Sequence, residues 1–354
     1  MSKDLDLLEE NLYKLSMTAI QLAKKYPKSK TFYLQTHVDK KLVVKLEDFE
    51  NTPPKNFKAL KNIINKKVLD IFKKNSNLIL DQQDPDLFIS LDFVSNVVSV
   101  KHSNIYIYTN YLKKSREFAQ HVWACSCCRG KGCQNCNFKK EKYPSIESSL
   151  REIFIKVFKA SDMYLHSSGR EDVDVLTLGN GRPSIIEIVN PQIDPTEINL
   201  DEVCKLVKEK YPIELLNPKY VKKFWVEAIC TSHFNKEYLA LVSCKEKKLN
   251  LEDFEKLKKL VPLSINQRTP LRVVKRRSDL IRNRYILDIA LDKIVDGKLL
   301  LKIYAEAGTY IKEFVHGDGG RTTPSISSIL GCSCICEELT LIRIDDFFVN
   351  TIKS

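Results

Sequence analysis

Residues Ser167 to Asn190 read SSGREDVDVLTLGNGRPSIIEIVN. The polar opening SSGRED predicts a loop, VDVLTL a strand, Asn180-Gly181 the centre of a tight hairpin turn, and RPSIIEIV the returning strand. Arg170 and Asp172 stand two apart where the first strand begins, which puts them on one side of the pleat. There a cation can meet a carboxylate and keep it ionised. Read alone, this Arg-x-Asp unit fits a surface ion pair beside a turn better than it fits a catalytic acid.

Toward the C-terminus from this stretch, strands and helices alternate to the end of the chain, with helices predicted over 145–158 and 251–260. Toward the N-terminus lies a compact module of a different pattern. Leu8, Leu12, Leu15, Ile20 and Leu22 recur at helical spacing and predict an amphipathic helix over 5–25. Strand-like TFYLQTHV and KLVVKLEDF follow, then a lysine-rich helix, NFKALKNIINKKVLDIFKK, then strand-like LFISLDFV, VVSVKH and NIYIYTN. The class expected is α+β, with a helical segment over 1–30, an α/β module over 31–120, a cysteine module over 121–143, and a mixed-sheet domain over 144–354.

The cysteine module is CSCCRGKGCQNC, in which Cys125, Cys128, Cys133 and Cys136 have the spacing C-x2-C-x4-C-x2-C. Two such knuckles can converge on one tetrahedral ion, and four thiolates leave no open position for water, so a structural zinc is expected. Gly130 and Gly132 sit where the backbone must turn sharply. Arg129 and Lys131 can offset thiolate charge, and Cys127 reads as a bystander. Cys332, Cys334 and Cys336 alternate as on a strand, which places them on one face. They read as small buried residues, as do Cys204, Cys230 and Cys244.

The chain has 354 residues, a formal net charge of +12 and 43% hydrophobic residues. That length suggests two domains, and the hydrophobic content argues against disorder. No apolar run is long enough for a membrane helix, and the acidic, helix-like N-terminus does not read as a secretory signal, so a cytoplasmic protein is expected. The positive charge favours a polyanionic partner. Arg272, Lys275, Arg276, Arg277, Arg282 and Arg284 place six cations within thirteen residues, interleaved with apolar ones, as on an ordered phosphate-binding edge. With 11 glycines there is no Walker loop and no G-x-G-x-x-G, so no nucleotide cofactor is expected.

Three motifs now stand in order: GREDVDV with LGNGRP, QRTPLRVVKRR at 267–277, and AGTYIKEFVHGDGGRTTPSISSILG at 307–331. Together they resemble the Pus-ten family of archaeal and eukaryotic tRNA pseudouridine synthases, and the N-terminal order of elements resembles a THUMP domain, an RNA-binding module. The resemblance implies a THUMP-like domain with its zinc module, followed by a pseudouridine synthase catalytic domain. It implies that the protein isomerises uridine in the T arm of tRNA, at positions fifty-four or fifty-five or both, without a catalytic cofactor, and a monomer is expected. By the same resemblance Asp172 matches the catalytic aspartate, Lys312 the basic residue that pairs with it, Tyr310 a substrate-contacting tyrosine, Tyr238 the tyrosine that stacks on the base, and Leu339 an apolar residue of the pocket. Arg170 is expected beside Asp172, and Arg272, Lys275, Arg276, Arg277 and Arg321 are expected to bind RNA. Leu176 stands where relatives have arginine and Ser184 where they have an aromatic residue. The alternatives are a non-catalytic tRNA-binding protein with an inactive synthase domain, and a THUMP-containing methyltransferase or thiolation enzyme, against which the missing glycine-rich loops count.

Overall fold

The structure, a computed structural model, describes residues 3–39, 57–138, 141–274 and 278–352. The expected strand KLVVKLEDF and the cations Lys275, Arg276 and Arg277 lie outside the described residues. The chain forms two compact units, one of Met1–Ile105, Phe154–Met163 and Ile188–Asn199, the other of Tyr106–Ile153, Tyr164–Glu187 and Leu200–Ser354.

In the first unit, α1 (Lys3–Ala23) and α2 (Phe57–Asn75) pack on a four-stranded sheet of β1 (Thr31–His37), β2 (Ile79–Leu80), β3 (Leu87–Asp92) and β4 (Val97–His102), in the order β2-β1-β3-β4. β1 runs parallel to β2 and β3, which needs a crossover, and α2 supplies it. Leu12, Leu15, Ala19 and Ile20 of α1 share one core with Leu60, Ile64, Val68 and Phe72 of α2 and with Phe32, Leu87, Ile89 and Leu91 of the strands. The helical spacing of the first two sets and the alternation of the third bring these residues to one layer. Asp92 then turns the chain into β4, its carboxylate accepting from the backbone N–H of Val94 at 2.8 Å and of Ser95 at 3.0 Å.

A ten-stranded mixed sheet dominates the second unit, in the order β13-β10-β11-β12-β9-β14-β7-β5-β8, with β6 paired to β7. Its strands are β5 (Ile105–Lys113), β6 (Asp162–Ser167), β7 (Val175–Val189), β8 (Ile213–Val221), β9 (Lys236–Cys244), β10 (Leu263–Arg268), β11 (Ile281–Val295), β12 (Lys298–Ala305), β13 (Thr322–Thr323) and β14 (Cys334–Ile344). The helices that matter to the site are α3 (Ile146–Phe158), α4 (Leu200–Lys210), α5 (Phe224–Thr231), α6 (Leu251–Lys258), α7 (Ile311–His316) and α8 (Ile326–Leu330). The expected helices over 145–158 and 251–260 correspond to α3 and α6. Val242, Leu301, Ile303, Phe314 and Ile326 are among the fully buried residues that join α7 and α8 to the sheet in one core.

The hairpin expected at Asn180-Gly181 does not form. β7 runs unbroken from Val175 to Val189 through that pair. A two-residue turn of the favoured kind needs positive φ at both central residues, and the positive values fall instead on Gly179, at 60°, and Gly181, at 73°. Asn180 stays extended, and its side chain takes over strand pairing: Nδ2 donates to the Ile344 carbonyl at 2.6 Å and Oδ1 accepts from the Ile344 N–H at 2.9 Å. The parallel pairing of β7 with β14, Val175 to Leu339 through Thr177 to Leu341, is thereby extended by an amide side chain. The turn chemistry expected there operates between β11 and β12, where Asp296 at φ 51° and Gly297 at φ 77° link Val295 to Lys298. A Cβ on Gly179 would lie 1.8 Å from the Ile342 carbonyl oxygen, whereas one on Gly331, also at positive φ, would meet nothing within 4 Å. Gly179→Ala is therefore expected to cost about 4 kcal/mol or more and Gly331→Ala about 1–2 kcal/mol, read from urea unfolding midpoints.

Candidate active site

Asp172 lies in the loop between β6 and β7, three residues before β7 begins, so the pleat does not set its direction. Buried polar groups do. The Ser168 carbonyl accepts from Arg182 Nη1 at 2.7 Å, and the Gly169 carbonyl from Gln120 Nε2 at 3.0 Å. The carbonyl of Val173 accepts from Lys113 Nζ at 2.6 Å, and that of Asp172 from the same ammonium at 3.4 Å. Next to Asp172, Glu171 points inward. It pairs with Arg182 at 2.7 Å and accepts from the Tyr111 hydroxyl at 2.9 and 3.0 Å. Burial pulls the Lys113 ammonium down to about 8, and raises the pKa of Tyr111, which the Glu171 charge raises further. The loop thus has little freedom to move, because each anchor would lose its partner in a dry interior.

The outward carboxylate, Asp172, meets two cations from remote motifs. Arg272 Nη1 is 2.8 Å from each of its oxygens, and Lys312 Nζ on α7 is 3.8 Å from Oδ2. Arg272 is held from behind by Glu313, Nε to Oε1 at 2.6 Å. Burial works against the Arg272 charge, but the Glu313 and Asp172 carboxylates outweigh it and raise its pKa. Lys312 lies closer to Asp174, 2.7 Å from both oxygens. The side chains of Glu313, Asp172 and Asp174 keep 1%, 35% and 64% of their exposure, so Asp172 and Asp174 are open to a substrate, and Asp172 is the one that both Arg272 and Lys312 meet.

Sequence reasoning placed Arg170 beside Asp172. Its guanidinium instead lies 6.0 Å from the Trp123 ring centroid, because the loop has not entered the strand whose alternation was to align the pair. Arg272, expected among the phosphate contacts, is the guanidinium that takes that place. Glu171, Arg182, Lys113 and Glu313 were missed as well. Their identities are ordinary in sequence, and only the buried acid next to Asp172 in the GREDVDV motif offered a sign.

Tyr238 on β9 pairs with Leu341 of β14 and Ile303 of β12, and Leu339 pairs with Ala240 and Val175. Directly paired residues share a face, so Tyr238 and Leu339 lie on the face that also carries Val175. Burial pushes the Tyr238 hydroxyl up to about 12, and the charges of Arg182, Glu171 and Asp172 reach it. At neutral pH it is therefore a neutral phenol. Tyr310 opens α7, its backbone gripped by Gln267, which accepts from its N–H at 2.9 Å and donates to its carbonyl at 2.9 Å. The Arg321 guanidinium donates to the Thr269 carbonyl at 2.7 and 3.1 Å and pairs with Asp279, so it ties a turn together within the protein. His316 accepts from the Asp318 N–H at 3.0 Å, a turn contact. Leu176 pairs with Thr340, and buried Ser184 shares a hydrogen bond with Ser167 at 2.7 Å.

Residues 106–345 match the family described as Pus10, C-terminal. The chain belongs to the Pus10 family. The Pus10 match begins at Tyr106, where the second compact unit begins, and contains every residue of the site just described. Among curated relatives, the tRNA pseudouridine synthase Pus10 of Methanocaldococcus jannaschii is 38% identical over 75% of this chain and 58% of its own length. That of Methanococcus voltae is 34% identical over 95% of this chain and 66% of its own length, and that of Archaeoglobus fulgidus is 34% identical over 74% and 72%. The chain thus spans about three fifths to two thirds of the length of the first two. Among solved structures, a Cbf5-Nop10-Gar1 complex aligns at 19% identity over 67% of this chain and 48% of that one, with a TM-score of 0.36, too low to support an inference.

The Pus10 match also contains the four cysteines. The sulfurs of Cys125, Cys128, Cys133 and Cys136 all lie within 4.8 Å of one another and could hold a metal ion. Three of the separations, 125 to 133, 128 to 136 and 133 to 136, are 3.9 Å. A tetrahedron with metal–sulfur bonds of about 2.3 Å has edges of about 3.8 Å, so the set fits a four-thiolate site. Backbone N–H groups point at the sulfurs, Gly132 to Cys128 at 3.1 Å and Cys133 to Cys136 at 3.3 Å, and backbone amides pull the Cys125 thiol down to about 7. Cys127 is exposed and accepts from Asn135 at 3.2 Å, outside the set. Of the cysteines expected in cores, Cys334 is buried, Cys204, Cys244, Cys332 and Cys336 are half-buried, and Cys230 is exposed. Cys332 precedes β14, and it packs with Cys334 and Cys336 against the same core, as expected.

Removing one partner of the Glu171–Arg182 pair strands a buried charge, whereas removing both does not. Arg182→Met is expected to cost about 3–5 kcal/mol, and adding Glu171→Gln to restore part of that loss. Urea unfolding of the three variants tests this, and additive losses would refute the coupling.

Proposed function

We propose that this chain isomerises uridine to pseudouridine in tRNA, with Asp172 as the catalytic carboxylate. The observation that carries the reading is the reachable Asp172 carboxylate, fixed by Arg272 and Lys312 in a chain of the Pus10 family. Membership adds the reaction, since the curated relatives are named as tRNA pseudouridine synthases.

The reaction breaks the bond from C1′ to N1 of uracil, turns the base, and forms a bond from C1′ to C5, the C5 hydrogen being replaced by one on N1. No electrons are gained or lost, so no redox or nucleotide cofactor is required. Asp172 acts at the ribose, and its cations keep it ionised and aimed. The target base must first leave its stack, at a cost of a few kcal/mol, which favours a loop whose bases are already strained. Tyr238, Leu339 and Tyr310 form the walls that hold the freed uracil while it turns, the neutral Tyr238 ring offering a stacking face. Arg170 on Trp123, with Lys275, Arg276 and Arg277, supplies backbone contacts to the RNA. The THUMP-like front unit grips the tRNA so that the T loop reaches the site, at position fifty-four, fifty-five or both. The four cysteines hold zinc, which folds their module and does no chemistry. The enzyme works as a cytoplasmic monomer, and a set of free cysteines suits that reducing compartment.

Incubation with unmodified tRNA, followed by carbodiimide-dependent reverse-transcription mapping, should give a new stop in the T arm. Asp172→Asn should lower the rate on the order of 10³-fold or more with tRNA binding retained. An unchanged rate, or no T-arm stop with the parent protein, would sink the proposal.

Arg272 separates two readings of its own position. As the group that aims Asp172, Arg272→Ala should lower kcat about 100-fold with little change in KM. A phosphate contact would instead raise KM and flatten its salt dependence while sparing kcat.

A further inference from the structure

At the end of β9 the chain has a second convergence of metal-binding side chains. Cys244 is the last residue of β9 and pairs across the sheet with Cys334, the first of β14. The Cys332 sulfur lies 3.8 Å from that of Cys334. Glu246 turns back so that its carboxylate lies 3.2 Å from the Cys244 sulfur. Single ligand atoms of Cys244, Glu246 and Cys332 all fall within 4.8 Å of one another.

The backbone fixes this arrangement. Ser333 N–H donates to the Glu246 carboxylate at 2.8 Å, and Lys245 N–H donates to the Ser333 carbonyl at 3.1 Å, so the two segments are laced together around the sulfurs. Small apolar filler would account for three cysteines beside a core. It does not account for a carboxylate brought against a thiol.

We propose that Cys244, Glu246 and Cys332 bind a second zinc ion. Two soft sulfurs and one oxygen suit a borderline-soft, tetrahedral ion whose fourth position water can fill. Binding releases the two thiol protons and leaves the centre singly negative, since two thiolates and one carboxylate meet a divalent cation. Lys247, ion-paired with Asp253 at 2.6 Å, is near enough to Cys332 and Cys244 to respond to their charge. The ion would clamp the register of β9 against β14, the two strands that carry Tyr238 and Leu339. Cys336 is outside the set, its thiol directed to the Glu338 carbonyl at 3.5 Å.

The test is the metal content of the full chain purified without chelator and measured by plasma mass spectrometry. Two zinc ions per chain are expected, falling to one in Cys244→Ser/Cys332→Ser and to one in Cys128→Ser/Cys133→Ser. Should a variant fail to fold, the parent protein decides. In its zinc-loaded form Cys244 and Cys332 should resist iodoacetamide far longer than exposed Cys230, and lose that protection when a chelator removes the metal. One zinc or none in the parent protein, unprotected thiols at these two positions, or a disulfide between them would overturn the assignment.

Discussion

The site depends on one buried ion pair. Glu171 and Arg182 keep 3% and 2% of their side-chain exposure and face each other at 2.7 Å. Such a pair gains little net stability over apolar packing, because desolvating both charges costs nearly what their attraction returns. Its effect is geometric. Glu171 can be satisfied only where Arg182 and Tyr111 meet it, and that position turns the next residue, Asp172, outward. With Lys113 and Gln120 on the loop carbonyls, the direction of one reactive side chain is fixed by several interior groups that never reach the solvent.

Around Asp172 the charges are shared. Arg272 serves Asp172 and Glu313, and Lys312 serves Asp174 more closely than Asp172. Three carboxylates and two cations leave the group one negative charge in excess. Asp172 therefore keeps its cations without being sealed by them, since each cation is also committed to a second acid. A carboxylate closed into a private bidentate pair would be ionised and unavailable. One that shares its partners is ionised and can still turn toward a substrate.

The ten-stranded sheet brings these pieces together. Asp172 precedes β7, Tyr238 is on β9, Leu339 is on β14, and Lys312 is on the helix that packs beneath them. β14 lies between β7 and β9, parallel to one and antiparallel to the other, and so pairs residues about a hundred and sixty and about a hundred positions apart in the chain. The glycine at 179 belongs to the same requirement, since the Ile342 carbonyl of β14 occupies the space a side chain would need.

The α+β class, most element positions, the four-cysteine set and, through three motifs, the Pus10 family can be read along the chain alone. These are legible because helical spacing, strand alternation and cysteine spacing are local, and because long motifs keep their order. Asp172, Lys312, Tyr238 and Leu339 could be named for the same reason. That Asn180-Gly181 continues a strand is set by the fold, since the competing partner is the Ile344 backbone, far along the chain. The fold likewise sets Arg272 rather than Arg170 against Asp172, and Cys244 and Glu246 against Cys332. Ion pairs and metal ligands are chosen by distance in space, and a sheet that places residue 172 beside residue 272 makes that choice independent of separation along the chain.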